Sequence, residues 1–392
     1  MSGGRKAIIG ACLLIGCSSS GGSPGSGGAS GSGGSATSSS SGAGGSGGSV
    51  AAGGSAGATT PPLVSDPNGN FPSRLQLSAG YLYWLSGTHQ LVRAAVDGTQ
   101  VKTLFTHAGS DESIIAIGDF AVDAQSIYFT DEGDGAATDR GVYALPLDGS
   151  SAPVKLVSGS QPAHLALDGD TLCFVDGSDL RQVKTSGDSA LVLLHGGLDY
   201  RTTLIVSQGF VYFPTAFGAD AQDLYRLPLG VPDPEAAPSA GGTGGGIGAG
   251  GAAAGGASAG ASGAGGGTHN GAQKISAVPG RYEILLASRA DHDNIYWGVE
   301  ETIYEWTGSS GGASSVAVVT DPLNEQDTSP PHDVLVPFDG TLFWVGGESY
   351  IYQQQLPSGM RTVVAPVATN SIALDSSYVY APVSRGIARY TR

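Results

Sequence analysis

One short phrase recurs seven times along this chain, and it leaves few folds open. Its fullest copy is Ser126-Ile127-Tyr128-Phe129-Thr130-Asp131, then a polar loop, then Gly141-Val142-Tyr143-Ala144-Leu145-Pro146-Leu147-Asp148-Gly149. The aromatic-centred run returns as Leu82-Tyr83-Trp84, Leu172-Cys173-Phe174, Val211-Tyr212-Phe213, Ile295-Tyr296-Trp297, Leu342-Phe343-Trp344 and Val379-Tyr380-Ala381. From Tyr83 to Tyr380 the central residues lie 45, 45, 39, 84, 47 and 37 positions apart. The one long gap holds a tract of Gly and Ala, and without it the spacing matches the others. Such a period suits one four-stranded unit that must stack on its neighbours to bury its faces.

Each repeat has the same parts. An apolar first strand, such as Phe120-Ala121-Val122-Asp123 or Ile372-Ala373-Leu374-Asp375, turns into the aromatic second strand. A third strand follows, such as Leu91-Val92-Arg93 or Leu224-Tyr225-Arg226, and a turn such as Asp97-Gly98 or Asp148-Gly149 leads to the fourth. Gly accepts the positive φ that these turns need. The last repeat stops at Arg392 after three strands, while Pro62-Leu63-Val64-Ser65-Asp66 at the other end reads like a fourth strand. The predicted fold is all-β: a β-propeller of seven four-stranded blades, closed by the N-terminal strand in the last blade, because closure covers edges that would otherwise invite aggregation. No segment shows sustained helical periodicity.

Composition sets the limits of this domain. Of 392 residues, 65 are Gly and 21 Pro, and much of the Gly lies in residues 18–60 and 239–267. These tracts carry too little apolar surface to offset the entropy of ordering them. Residues 17–60 therefore read as a disordered tether with a reach of roughly 35 Å, and residues 236–272 as a disordered insertion in blade four. The propeller spans residues 61–392. Acidic residues outnumber basic ones 34 to 18, a net charge of −16. That argues against nucleic acid, which needs clustered Lys and Arg, and against electrostatic docking on anionic lipid. The domain is expected to be monomeric.

The N-terminus supplies an address. Arg5 and Lys6 precede an apolar run from Ala7 to Ile15, too short to span a bilayer and patterned as a secretory signal. It ends Leu14-Ile15-Gly16-Cys17, which resembles the lipobox of bacterial lipoproteins. The resemblance implies removal of residues 1–16, acylation of Cys17 and anchoring through the attached lipid. Ser18 after the cysteine, by likeness to Gram-negative sorting, points to the outer membrane, on its periplasmic or surface side. Cys12 would leave with the signal, so only Cys173 remains in the exported domain. Within its apolar run it reads as a buried, inert thiol.

The aromatic strand, third strand and Asp-Gly turn together resemble the YWTD and related lipoprotein-receptor-type β-propellers. Tyr128-Phe129-Thr130-Asp131, and Leu91-Val92-Arg93 with Asp97-Gly98, carry the likeness. Only one repeat has Thr-Asp after the aromatics, and that family has six blades where seven are counted here. The receptor function therefore does not transfer.

In such a disc the connections from fourth to first strand, and from second to third, share one face. The tether and the insertion leave on the other. The free face carries the loops 130–141, 214–223 and 320–332, and loops held on a rigid scaffold are where recognition sits. Nine residues before the aromatic centre come Arg74, Asp119, His164 and Thr203, at the start of each first strand, with Glu283, His332, Asp333 and Asn370 nearby. Polar groups converging on a channel mouth form a candidate ligand site, although solvated strand ends are the commoner reading. Asp131, Glu132, Asp134 and Asp139 crowd one loop whose oxygens suit Ca²⁺, although Gly133 and Gly135 break the EF-hand spacing. Asp291-His292-Asp293 reads as a hairpin turn. A nucleophile-elbow match at residues 21–25 and dinucleotide-type glycine spacings at 239–267 are products of composition.

Three functions follow as expectations. The first is a membrane-anchored, non-enzymatic binding scaffold for an envelope protein or polymer, needing no cofactor, with Ca²⁺ possible. The second is a lyase or lactonase using a divalent ion and His164 with His332 or Asp119. The third is a structural subunit of an outer-membrane assembly, which an exposed apolar patch would favour.

Overall fold

The structure is a computed structural model. It describes residues 62–107, 116–133, 139–187, 192–195, 198, 203–214, 221–230, 272–279, 285–288, 294–299, 302–307, 315–320, 334–346, 350–367 and 369–392. The expected signal, Cys17, the tether and the insertion as far as residue 271 lie outside these residues. So do Glu283, Asp291-His292-Asp293, His332, Asp333 and Asp134.

Seven four-stranded antiparallel sheets form a ring of blades. Blade 1 is Pro72–Ser78, Tyr81–Ser86, Gln90–Ala95 and Lys102–Thr106. Blade 2 is Ile117–Val122, Ser126–Asp131, Gly141–Pro146 and Val154–Ser158. Blade 3 is Pro162–Asp168, Thr171–Asp176, Asp179–Lys184 and Val192–His195. Blade 4 is Ile205–Ser207, Phe210–Pro214, Ala221–Pro228 and Gln273–Pro279. Blade 5 is Leu285–Ser288, Asn294–Val299, Thr302–Thr307 and Ser315–Thr320. Blade 6 is Leu335–Phe338, Thr341–Gly346, Tyr350–Gln355 and Thr362–Pro366. Blade 7 is Ala373–Leu374, Tyr378–Val383, Gly386–Thr391 and, from the other end of the chain, Val64–Ser65. The first strands of neighbouring blades touch, so they form the inner wall. No helix occurs among the described residues.

Burial follows position in the blade. Second strands are covered on both faces by neighbouring blades, so they read as continuous apolar runs rather than alternating ones. Leu82, Tyr83 and Trp84 in blade 1, and Leu172 to Val175 in blade 3, are fully buried. Fourth strands face solvent, and Lys102–Thr106 and Val154–Ser158 are only partly covered. Cys173 is fully buried, and burial pushes its thiol well above the ordinary range, as an inert core group requires.

Residues opposite the central aromatic fill the wedge between blades. Tyr83 faces Arg93, Tyr212 faces Arg226 and Tyr380 faces Arg389 across the second and third strands. Each guanidinium lies over the ring that opens its second strand: Arg93 over Tyr81 at 4.7 Å, Arg226 over Phe210 at 4.7 Å, Arg389 over Tyr378 at 4.4 Å. Arg93 also donates from Nη1 to the Leu147 carbonyl of blade 2 at 2.7 Å. In blade 3 the corresponding Gln182 accepts the Gly230 N–H of blade 4 at 3.0 Å. One side-chain position thus ties blade 1 to blade 2 and blade 3 to blade 4.

The ring closes as the repeat count predicts. Val64 pairs with Ile387 and Ser65 with Gly386. Asp66 then joins this edge of blade 7 to blade 1. Its buried carboxylate accepts Trp84 Nε1–H and the Ser86 hydroxyl, both at 2.8 Å, and the N–H groups of Asn68 and Asn70 at 3.0 and 3.2 Å. Gly98, at φ 85°, turns blade 1 beside the closing strand, where a Cβ would strike the Leu63 carbonyl.

Candidate functional site

Three of the polar positions predicted at the channel mouth have a structural origin in common: Arg74, Asp119 and His164 each sit in a β-bulge. In blades 1, 2 and 3 the first strand carries one residue more than the second strand opposite, with the shift falling between Ser73 and Gln76, Ile117 and Phe120, and Ala163 and Leu165. Arg74, Asp119 and His164 fall within these shifts, each nine residues before the aromatic centre. Arg74 and His164 adopt φ of 56° and 47°. A bulge leaves the ladder locally and re-aims a side chain, and here it frees backbone N–H groups for cross-blade bonding.

Asp119 uses that freedom. It is fully buried among three blades. Its Oδ2 lies 3.2 Å from Arg74 Nη1 of blade 1 and accepts the Leu165 N–H of blade 3 at 3.0 Å. Its Oδ1 accepts the Phe120 N–H at 2.8 Å, and its own N–H donates to Thr130 Oγ1 at 2.9 Å. Burial raises the carboxyl above its ordinary range, against the pull of Arg74 and the two N–H groups. With both oxygens engaged, Asp119 works as a staple between inner strands. That role leaves it poorly placed as the base that the lyase or lactonase reading asks of it.

Glu132 lies beside this staple. Its backbone N–H donates to the Ala116 carbonyl at 2.8 Å, and its carboxyl folds over Gly118, where an added Cβ would press on Glu132 Oε1. Burial pushes Glu132 up to about 7, although the Arg74 and Arg140 guanidiniums both pull it down; Asp119 and Asp131 add to the rise. Arg140 donates from Nη1 to the Ser160 carbonyl of the blade 2–3 connection at 2.9 Å.

Asp131 has its own partners. Oδ1 accepts the Gly133 N–H at 2.8 Å and lies 3.4 Å from His107 Nε2. Burial raises its carboxyl, with His107 opposing. Its counterpart in blade 3, Asp176, accepts the N–H groups of Ser160 and Gln161, each at 2.7 Å. Both carboxylates latch the connection that enters their blade. Asp139 accepts the Tyr143 hydroxyl through its backbone carbonyl. Among the described residues no group of three or more His, Cys, Asp or Glu side chains is set to hold a metal, and Asp134 lies outside them.

The structure therefore brings Arg74, Asp119 and Glu132 together, with His164 in the next bulge, buried. Thr203 is buried at the foot of blade 4. In blade 7 the nine-residue count falls on Ser371, fully buried, rather than on Asn370, which accepts the Ser371 hydroxyl at 3.4 Å. Arg140 was missed by sequence reading. Its only signal was being the one cation in an acidic loop. His89 and His107, whose ring centroids are 6.0 Å apart beside Asp131, carried no motif at all.

No protein-family model matches the chain, and no curated protein matches it in sequence. Solved structures do. The extracellular domain of a protein described as a hybrid two-component system, from B. thetaiotaomicron, aligns with a TM-score of 0.53 at 13% identity over 84% of this chain. A second structure of that extracellular domain gives 0.54 at 12%. This chain spans 39% of the length of each. The computationally designed Ika8 protein gives 0.51 at 11% identity, with 84% of this chain and 99% of that one covered. The likeness is one of fold. This chain is a seven-bladed β-propeller.

Proposed function

We propose that the chain is an exported, lipid-anchored binding scaffold of the cell envelope, recognising its partner on the face that holds Arg74, Asp119 and Glu132. One observation carries this reading. The closing strand Val64–Ser65 enters blade 7 as its fourth strand, so the chain ahead of it arrives on the side where third strands run into fourth strands. The polar cluster lies on the opposite side, where fourth strands run into first strands. A chain anchored ahead of Pro62 would leave that cluster free to meet a partner. The B. thetaiotaomicron neighbour is an extracellular domain, which agrees with export, and the lipobox likeness of Cys17 supplies the anchor. Among the described residues, exposed large apolar side chains are few. Phe71, Val101 and Val154 stand on different connections or strands, and Met360 and Val363 sit together in blade 6. That scatter favours a binding face over a structural subunit built on an apolar patch.

The test uses the full chain in a Gram-negative host. Labelled palmitate should enter the wild type and not Cys17→Ala, which should leave the membrane fraction. A photo-crosslinking residue in place of Phe71, 42% exposed on the cluster side, should give one dominant adduct that Arg140→Ala weakens. Label on Cys17→Ala would sink the anchor, and no adduct above control would sink the scaffold.

A further inference from the structure

The exposed apolar side chains share a position in the blade. Among the described residues the large ones are Phe71, Val101, Val154, Met360 and Val363. Phe71 stands on the mouth side. The other four stand where a third strand has just turned into a fourth: Val101 precedes Lys102–Thr106, Val154 opens Val154–Ser158, and Met360 and Val363 flank the start of Thr362–Pro366. All four therefore lie on the side by which the chain enters blade 7. They also follow one arc, because blades 6, 7, 1 and 2 are consecutive round the ring. Arg392 of blade 7 lies 4.7 Å from the Phe338 ring of blade 6. Gly98, in the turn before Val101, lies against the Leu63 carbonyl just ahead of the closing strand. Lys102 Nζ donates to the Asp148 carbonyl in the turn before Val154. The chain thus enters in the middle of the arc, with apolar tips on either side of it.

We propose that this arc is a lipid-contact surface, whose tips in blades 6, 1 and 2 enter the headgroup region of the membrane and turn the mouth away from it. This rests on the lipid-anchored reading of the chain and adds an orientation to it. The tips stand on separate turns, so they form no contiguous patch for a protein partner. A bilayer surface takes up single apolar side chains, each gaining by the area it removes from water. Exposed Lys102 and Arg361 follow Val101 and Met360 in the chain, and such side chains can lay their stems along apolar surface and keep their charge among the headgroups. Asp97 and Asp148, each bonded within its own turn, offset those cations. With charges balanced, the contact is apolar: it suits zwitterionic lipid and is little changed by salt, as the net charge of −16 requires. Four side chains hold weakly by themselves, and the anchor makes the contact effective by keeping the domain near the surface.

Cys173 is buried, so a cysteine placed at the surface takes up a label selectively. The experiment puts a polarity-sensitive dye on Val154→Cys, on Met360→Cys and, as the mouth-side control, on Phe71→Cys. Each full chain, produced in a Gram-negative host, is reconstituted on vesicles of phosphatidylcholine and phosphatidylethanolamine. The dye at 154 and at 360 should shift to the blue and be quenched by nitroxide-bearing lipid several-fold more than the dye at 71, in low and in high salt. Adding Val101→Ser, Val154→Ser and Val363→Ser should cut the quenching at 360 and leave the melting temperature unchanged. Equal quenching at 71, 154 and 360 would overturn the proposal, and so would a signal at 360 that the three serines leave intact or that high salt abolishes. The same dyes on a Cys12→Ser, Cys17→Ala chain, held by an N-terminal His tag on nickel-chelating lipid, separate the contact from the anchor. Insertion of 154 and 360 there supports the lipid-contact arc even if palmitate fails to label Cys17 in the wild type. Acylation of Cys17 without insertion in either format would sink the arc and leave the anchor standing.

Discussion

Glu132 shows what a single residue can report about its surroundings. Its carboxyl is raised from the ordinary 4.5 to about 7, with desolvation outweighing two guanidiniums. The folded state therefore holds a proton that the unfolded chain releases between those values. By linkage, stability from this group is present below about pH 4.5 and is lost as pH rises through about 7. Glu132→Gln removes the penalty. The variant should match the wild type near pH 4.5 and exceed it above pH 7, by on the order of 1–3 kcal/mol, in thermal melts at several pH values. A constant difference across pH would show that the carboxyl does not titrate in this range. Other carboxylates at this scale are purely local. Asp123 accepts the Gln125 and Ser126 N–H groups and the Tyr128 hydroxyl, and Asp375 repeats this with Ser377, Tyr378 and Tyr380. An Asp in the first turn, five residues before the central Tyr, is a sequence mark of this bond.

Among elements, the closing strand carries the most weight for its size. It is two residues long, yet it completes blade 7 and, through Asp66, ties that blade to blade 1. Asp66→Ala would leave the Trp84 indole N–H and the Ser86 hydroxyl without their acceptor. The expected cost is about 2–4 kcal/mol by chemical denaturation. Asp66→Asn, which keeps one acceptor oxygen, should cost less, and equal losses in the two would contradict the bonding described. The bulges are the second element of consequence. One extra residue in each of three first strands turns Arg74, Asp119 and His164 from ladder positions into a polar ring, and Asp119 spends its charge on holding that ring together.

At the scale of the whole molecule, the turn between the third and fourth strands of blade 4 and the polar cluster lie on opposite faces. The third and fourth strands of blade 4 stay paired, Arg226 opposite Gln273, on either side of residues 231–271. A tight hairpin can therefore join them. Replacing 231–271 with a short Gly-containing turn should keep the fold and the crosslink from position 71, since that turn lies on the side away from the cluster. A shorter closure should also add up to about 1–2 kcal/mol. A lower melting temperature, or a lost crosslink, would mean the insertion supports the propeller or its mouth.

The sequence by itself determined the repeat, the seven blades, the closing strand and the buried aromatics. All of these rest on periodicity and on residues close in the chain, where apolar runs and Asp-Gly turns leave a direct mark. Only the tertiary structure decided what the polar residues do. Asp119 looks like a candidate base in sequence. In the fold its carboxylate meets Arg74, 45 residues earlier, and the Leu165 N–H, 46 residues later. The Glu132 carboxyl folds over Gly118 of the first strand, which no local pattern records. Charges interact through space, so their roles depend on which strands the ring sets side by side.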